Sequence, residues 1–340
     1  MTSSLTPFFE PAGVAVIGAS SNPRKLSYGI LKNLVNSAYA GGVYPVNPSA
    51  AELLGKPCYP DISAVPDPVE LAVIVLPVAV IPETLEACGK RGVRAVIIIS
   101  GGFKEVGEGG QHVEERCLEI IRRHGMRMIG PNCVGLLNVH SGLNTTFIHG
   151  VPDPGGIGFM AQSGAVMGGV VDQVLGKKIG FSHFISMGNE ADVTETDLME
   201  YLAEDPGTRV IATYVEQIKD GRRFLEVARR VSRIKPIVLL KGGRSSAGAR
   251  AVSSHTGSLA GSYAAYQAAF RQAGVIEVGS LNELFEVALA LDFQPLPRGS
   301  RTVIITNAGG PAALASDALS ANGLTLDDLE PDTRRTLRAA

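Results

Sequence analysis

The sequence predicts an α/β protein built on parallel sheets, and three observations carry that reading. Short β-branched runs alternate with amphipathic helical stretches. The runs are apolar throughout, as strands covered on both faces are. The 40 glycines and 20 prolines among 340 residues supply the short turns that such alternation needs. A hydrophobic content of 45% suits compact cores, and at about 100–200 residues per domain the length allows two or three of them.

The first series of strands reads GVAVIG (13–18), GVYPVN (42–47), LAVIVLP (71–77), RAVIIIS (94–100) and RMIGPN (127–132). Ligands of parallel sheets bind beyond the carboxyl ends of the strands. The ends here carry GASSNPRK, NPSA, Pro77, SGGF and GPNCVG, which marks Gly18, Asn47, Pro77, Ser100, Gly101, Asn132 and Cys133 as candidates. Turn chemistry alone accounts for part of such a pattern. The first of these turns enters a helix, so its backbone N–H groups present themselves to an anion. It departs from the dinucleotide fingerprint, because Ser20 and Pro23 stand where glycines belong and the second strand ends in Asn47 instead of an acid. A nicotinamide enzyme is therefore disfavoured. Ser20, Ser21, Arg24 and Lys25 fit a more heavily phosphorylated adenine nucleotide, or else a solvated capping loop.

A hairpin-like stretch (141–155) leads into a second series: GIGFMAQSG, IGFSHFISMGN, RVIATYVEQ, KPIVLLKGG and VIEVGS. Near 295, QPLPRGS reads as a linker, after which RTVIITNAGGPAALASDALSANG opens a strand, a Gly-rich turn and a helix. One βα unit cannot bury its own faces, so 298–340 reads as the incomplete beginning of a further domain. The expected domains are 1–148, 149–297 and 298–340.

Charge and composition exclude several functions. The 31 basic and 33 acidic residues are interspersed, net charge is −2, Trp is absent and aromatics make up 6%, so a nucleic-acid partner is not expected. Cys58, Cys88, Cys117 and Cys133 form neither CxxC pairs nor a Cys/His cluster at zinc spacing, which argues against a metal or a disulfide framework and for a reducing cytoplasm. The N-terminus lacks a signal-peptide pattern, and the longest apolar run, 71–81, is too short for a bilayer and contains Pro77. No membrane association is expected.

Residues 253–261, SSHTGSLAG, set His255 among Ser253, Ser254, Thr256 and Gly257. Small neighbours leave space and hydroxyls offer donors, so this histidine is either a satisfied loop residue or a catalytic group. FMAQSGAVMGG brings Ser163, Gly164 and Ala165 to a helix entry, fit for an anion or for plain capping. Glu216 ends the strand RVIATYVE, as a functional carboxylate or a solvent-facing acid. Cys133 suits a small hydrophobe better than a nucleophile. His112, His124, His140, His149 and His183 are expected in ordinary surface or loop contexts.

GASSNPRKLSYGILKNL, VYPVNP, GPNCVGLLN and KPIVLLKGGRSSAGARAVSSHTGSLAG resemble, in order and spacing, the NDP-forming acyl-CoA synthetases. These are the ADP-forming acetyl-CoA synthetases and their relatives, distantly similar to the succinyl-CoA synthetase α subunit. The resemblance implies a Rossmann-like CoA-binding domain, then a flavodoxin-like succinyl-CoA-ligase-type domain, then the start of another flavodoxin-like domain. It implies a ligase that joins a carboxylic acid to CoA with ATP, through an acyl phosphate and a phosphohistidine, here His255. Glu216 matches the family's glutamate partner of that histidine. Ser163, Gly164, Ala165, Ser254, Thr256 and Gly257 would hold the phosphoryl group; Gly18, Ser20, Ser21, Arg24 and Lys25 the CoA diphosphate; Asn132 and Cys133 the acyl and thioester region. ATP, ADP and Mg2+ would be bound by an ATP-grasp domain or β subunit in an oligomer, leaving the isolated chain without ATP turnover. A CoA-binding regulatory module of acetyltransferase fusions is the alternative, but such modules lose the histidine.

Overall fold

Both large sheets of the molecule are wound on one plan. In the computed structural model, which describes residues 3–256, 262–297, 299–326 and 328–339 without the side chains of 253–256, the first sheet comprises β1 (Gly13–Ile17), β2 (Gly42–Val46), β3 (Leu71–Ile74), β4 (Ala95–Ile98) and β5 (Arg127–Ile129). Its order is β2-β1-β3-β4-β5, with every pairing parallel. Helices α1 (Leu26–Asn36), α2 (Ile81–Arg91) and α3 (Glu108–His124) cross between its strands. All residues of β1, β3 and β4 are buried, which is why these strands lack alternation in sequence.

The second sheet contains β6 (Leu136–Asn138), β7 (Leu143–Asn144), β8 (Asp153–Ala161), β9 (Gly180–Ser186), β10 (Val210–Val215), β11 (Ile237–Lys241) and β12 (Ile276–Val278). Their order is β12-β11-β10-β8-β9-β6-β7. The run from β12 to β9 is parallel, and its five strands, in chain order, repeat the 2-1-3-4-5 arrangement of the first sheet. Helices α4 (Gly164–Val174), α5 (Glu195–Glu204), α6 (Gly221–Val231), α7 (Ser246–Thr256), α8 (Tyr263–Ala273) and α9 (Leu281–Phe293) follow these strands.

β6 extends this sheet antiparallel to β9, and β7 pairs antiparallel with β6 at its edge. The expected first domain, 1–148, includes these strands, yet Leu136 and Leu137 bury opposite faces of the second sheet: Leu136 enters the core that also holds Met160 and Ile185, Leu137 the core around Phe159 and Phe184. The former core continues to Val16, Val73 and Ile97, so both sheets share one hydrophobic layer.

Two further expectations are corrected. Residues 253–256 are the last turn of α7 and not an open loop; SAGARAV contains good helix formers and no proline to stop it. Gly257, with 258–261, lies outside the described residues. His183 is not in a surface or loop context but inside β9, 1% exposed. Neither ring nitrogen has a hydrogen-bond partner. The Asp205 carboxylate lies 3.6 Å from Nδ1, the Phe9 and Tyr201 rings pack edge-on, and burial pushes the pKa down to about 4.

The chain divides into two compact units, Met1–Phe293 and Gln294–Ala340. The smaller has a parallel pair, β13 (Arg301–Thr302) and β14 (Thr325–Leu326), with α10 (Gly309–Ala321) and α11 (Pro331–Ala339). None of its described residues is buried, and Ile305 is 93% exposed.

Candidate functional site

In a 2-1-3-4-5 sheet the order reverses between strands 1 and 3, and the crevice outside their carboxyl ends is the natural ligand site. Each sheet of the larger unit has a cavity there.

The first, of about 530 Å³, is lined at the ends of β1, β2 and β3 by Gly18, Ala19, Lys25, Asn47 and Pro77, with Asp61 and Glu83 opposite. Gly18 has φ +85°, and a Cβ there would lie 2.3 Å from the Val75 carbonyl oxygen, so only glycine lets the turn pass this close to β3. Asn47 Nδ2 donates to the Ala19 carbonyl at 2.7 Å while its Oδ1 accepts from Ser49 N–H at 2.8 Å. It ties the two turns together. Ser20 Oγ accepts from Asn22 N–H, and Asn22 Oδ1 accepts from Arg24 N–H. Ser21, Arg24 and Lys25 are exposed; of these Lys25 lines the cavity. It is the N-cap of α1, whose first turn holds no acid, so the positive end of that helix is uncompensated.

The second cavity, about 680 Å³, opens at the ends of β8 and β10 and is completed by the ends of β4 and β5. It gathers Ser100, Gly101, Asn132, Cys133, Ser163, Gly164, Ala165 and Glu216. Val75 lines both cavities. Ser100 Oγ donates to the Leu76 carbonyl at 2.6 Å and accepts from its N–H at 3.1 Å, clamping the ends of β3 and β4. Cys133 is 4% exposed and donates to the Ile98 carbonyl. Burial pushes its thiol up to about 12, which keeps it protonated and packed, not nucleophilic.

Ser163 caps α4, its Oγ accepting from Val166 N–H. The first turn of α4 has no acidic residue, so its free N–H groups present positive potential to the cavity. Glu216 is 8% exposed. Tyr214 donates to its Oε1 at 3.3 Å, and Lys241 donates to its backbone carbonyl at 2.7 Å. Tyr214 is raised to about 12 by burial and by the Glu216 charge. The side chains of Ser254, His255 and Thr256 lie outside the described residues; the backbone carrying them follows β11, next to β10 in the sheet.

The sequence reading missed Gln162, Asn189, Glu190, Gln217, Lys104 and Lys219, all on the cavity wall. Gln162 spans the switch point, its Oε1 accepting from the N–H groups of Glu216 and Gln217 and its Nε2 donating to the Gln217 carbonyl at 2.6 Å and to Glu190 Oε2 at 2.7 Å. Lys219 and Lys104 both donate to the Asn189 carbonyl, at 2.9 and 2.5 Å, and Lys219 also to that of Glu190. Desolvation, then Lys104, lowers Lys219 to about 8. Glu190 and Glu195 are buried; burial raises both carboxyls, and for Glu190 the neighbouring Glu195 raises it further. Glu190 and Asn132 hold left-handed backbones, φ +52° and +58°, a strain of about 1–3 kcal/mol each that surrounding structure must sustain. The strand-end rule would have flagged Gln162, Gln217 and Asn189, each adjoining or near a motif already singled out. Among the described residues no group of three or more His, Cys, Asp or Glu could hold a metal.

Residues 13–138 match the family model described as a CoA binding domain, and 154–291 the one described as the succinyl-CoA ligase like flavodoxin domain. The acetate–CoA ligase (ADP-forming) II subunit alpha of Pyrococcus furiosus is 49% identical over 98% of this chain and 72% of its own length. The acetate–CoA ligase (ADP-forming) I of Archaeoglobus fulgidus is 45% identical over 97% of this chain and 48% of its own, so the chain spans about half of that relative. The solved dinucleotide forming acetyl-coenzyme A synthetase 1 of Ca. Korarchaeum cryptofilum, in complex with phosphate and ADP, superposes with a TM-score of 0.91 at 41% identity, over 96% of this chain and 70% of that one.

Proposed function

The chain belongs to the ADP-forming acyl-CoA synthetases, and from that premise we propose that it is the part of the enzyme that binds CoA and carries the phosphoryl group. The reaction interconverts a carboxylic acid, CoA and ATP with acyl-CoA, ADP and phosphate. The observation that carries this is the pair of switch-point cavities meeting at Val75. One suits a phosphorylated nucleotide, with Gly18 permitting close approach and the α1 end offering positive potential. The other joins a helix end free of acids to a buried carboxylate, Glu216.

In the synthetic direction the acid arrives activated as an acyl phosphate. The CoA sulfur forms its bond to the acyl carbon as the carbon–oxygen bond to phosphate breaks, and the thiol proton leaves with solvent or phosphate. The released phosphate is held at the entry of α4 by Ser163, Gly164 and Ala165, whose N–H groups balance its charge. The acyl phosphate itself forms when a ring nitrogen of His255 takes the γ-phosphoryl group of ATP, releasing ADP, and hands it to a carboxylate oxygen of the acid; in reversal the acyl phosphate returns the group to His255, freeing the carboxylate, and His255 passes it to ADP. Glu216 orients the ring through its other N–H and stabilises the charged phosphohistidine. Ser254, Thr256 and Gly257 supply further donors. ATP, ADP and Mg2+ are held by an ATP-grasp domain or subunit in a cytoplasmic oligomer, so the isolated chain binds CoA without turning over ATP. The domains 1–148, 149–297 and 298–340 divide these tasks, the first lending β6 and β7 to the sheet of the second and the last belonging to a further flavodoxin-like domain.

The test supplies the partner, γ-labelled ATP, CoA and an acceptable acid, and reads protein-bound label. A phosphoramidate is lost in acid and survives alkali. His255→Ala is expected to abolish label and thioester synthesis with CoA affinity kept, and Glu216→Gln to slow labelling about 100-fold, the scale of a lost acid–base or orienting group. Label retained in His255→Ala, or acid-stable label, overturns the proposal. CoA binding with no label in the wild type favours the regulatory module.

A further inference from the structure

Resting on the function proposed above, we infer that Glu190 is a positioning residue of the reaction, fixing through Gln162 the turn that presents Glu216. The two side chains form the link between the end of β9 and the switch point of β8 and β10. The Gln162 amide has both donors and its acceptor engaged: Nε2 to Glu190 Oε2 and the Gln217 carbonyl, Oε1 from two successive N–H groups, Glu216 and Gln217. Only one orientation of the amide satisfies these partners. A turned amide would set NH2 against the Glu216 N–H. Glu190 therefore adds a fourth contact that only this orientation satisfies, anchoring the amide to the end of β9, and the amide holds the backbone from which the Glu216 side chain departs.

Glu190 is itself held. It is 3% exposed, its Oε1 accepts from Glu195 N–H at 3.2 Å, and Lys219 fastens its carbonyl. Its backbone stays at φ +52°, a conformation a glycine would adopt freely. Asn189 N–H and Ala191 N–H donate to Pro131 and Gly130, which docks the segment on the first sheet. Charged groups surround it from several elements. Glu195 faces it from α5 and Lys219 from the turn after β10, while Lys104, Glu105 and Glu114 converge on the adjacent Asn189. Two buried carboxyls so close, Glu190 and Glu195, retain a proton between them. One Glu195 oxygen accepts from Thr196, and the other has no hydrogen-bond partner. A pair that shares one proton carries a single negative charge, which the nearby Lys219 offsets, and this suits a site that must hold phosphate better than two charges would. Loss of the shared proton as pH rises would add the second charge.

The test uses the reconstituted enzyme and compares Glu190→Ala, Glu190→Gln, Gln162→Ala and the double alanine variant. Glu190→Ala and Gln162→Ala are each expected to lower kcat at least about tenfold, with KM for CoA within about threefold, since CoA is bound by the other sheet. The double variant is expected to be no worse than the poorer single one, the signature of one shared pathway. Glu190→Gln keeps an acceptor for Gln162 but sets its NH2 against the Glu195 N–H from which Oε1 accepts; it is expected to regain part of the kcat lost in Glu190→Ala and to extend activity to higher pH, because an amide has no proton to lose. Should Glu190→Ala fail to fold, Gln162→Ala and Glu190→Gln carry the test. Unchanged kcat in Gln162→Ala, multiplying losses, or a Glu190→Gln without rescue overturns the inference. Phosphohistidine label is measured alongside: a wild type without acid-labile label defeats the proposed function, whereas equal labelling rates in wild type and Glu190→Ala defeat the role of Glu190 alone.

Discussion

His183 is a buried imidazole that nothing hydrogen-bonds, and it makes the fold sensitive to acid. The folded protein keeps the ring neutral down to about 4, against 6.5 for an unperturbed histidine. Below the unfolded value the unfolded chain takes up a proton that the folded chain refuses, so its contribution is present above 6.5 and lost as pH falls towards 4. His183→Phe, which keeps a flat ring edge-on to the stacked Phe9 and Tyr201, is expected to lose less of its melting temperature between pH 7 and pH 5 than the wild type. An equal loss in both would remove His183 from the account. Single residues also mark the limit of what the sequence discloses. Ser163 and Glu216 were legible because each ends an apolar run, and Cys133 because its neighbours offer no charge. Glu190 and its link to Gln162 were not, because that link depends on β8 lying between β9 and β10, and strand order is not written in any local pattern.

Among the elements, the segment after β9 depends on one close approach. Gly188 has φ +60°, and a Cβ there would stand 2.3 Å from the Pro131 carbonyl oxygen. Gly188→Ala therefore combines a left-handed penalty of about 1–2 kcal/mol with displacement of the turn that carries Asn132. It is expected to lower both the melting temperature and turnover, and retention of wild-type values in calorimetry and assay would refute this. Strand positions were readable from apolar runs with few residues of error at each end, since both sheets are covered on both faces. The partnership of β6 and β7 was not, because a three-residue LLN pattern reads equally well as the end of one sheet or the edge of the next. SSHT was misjudged for a related reason: serine and threonine favour loops locally, yet the alanines upstream carry α7 through them.

At the scale of the whole molecule, repetition is the feature that sequence could not foretell. Two α/β series were evident, but the shared 2-1-3-4-5 winding, which places a crevice at equivalent points of each, emerges only from pairing. In the smaller unit no described residue is buried. Amides of α10 are accordingly expected to exchange with deuterium far faster than those of β10, and comparable protection would contradict that accounting. Val75, standing on the walls of both cavities, turns the end of β3 into a ruler. A molecule anchored by its nucleotide beside Gly18 must carry its sulfur over that ridge to reach Ser163, so the length of its arm is gauged by the protein. CoA analogues with the arm shortened by a few bonds should bind almost as well as CoA, yet their thiols would halt on the near side of the ridge and turnover would collapse. Discrimination of this kind needs no side chain that recognises the arm, only a fixed distance between two places that the doubled winding has set.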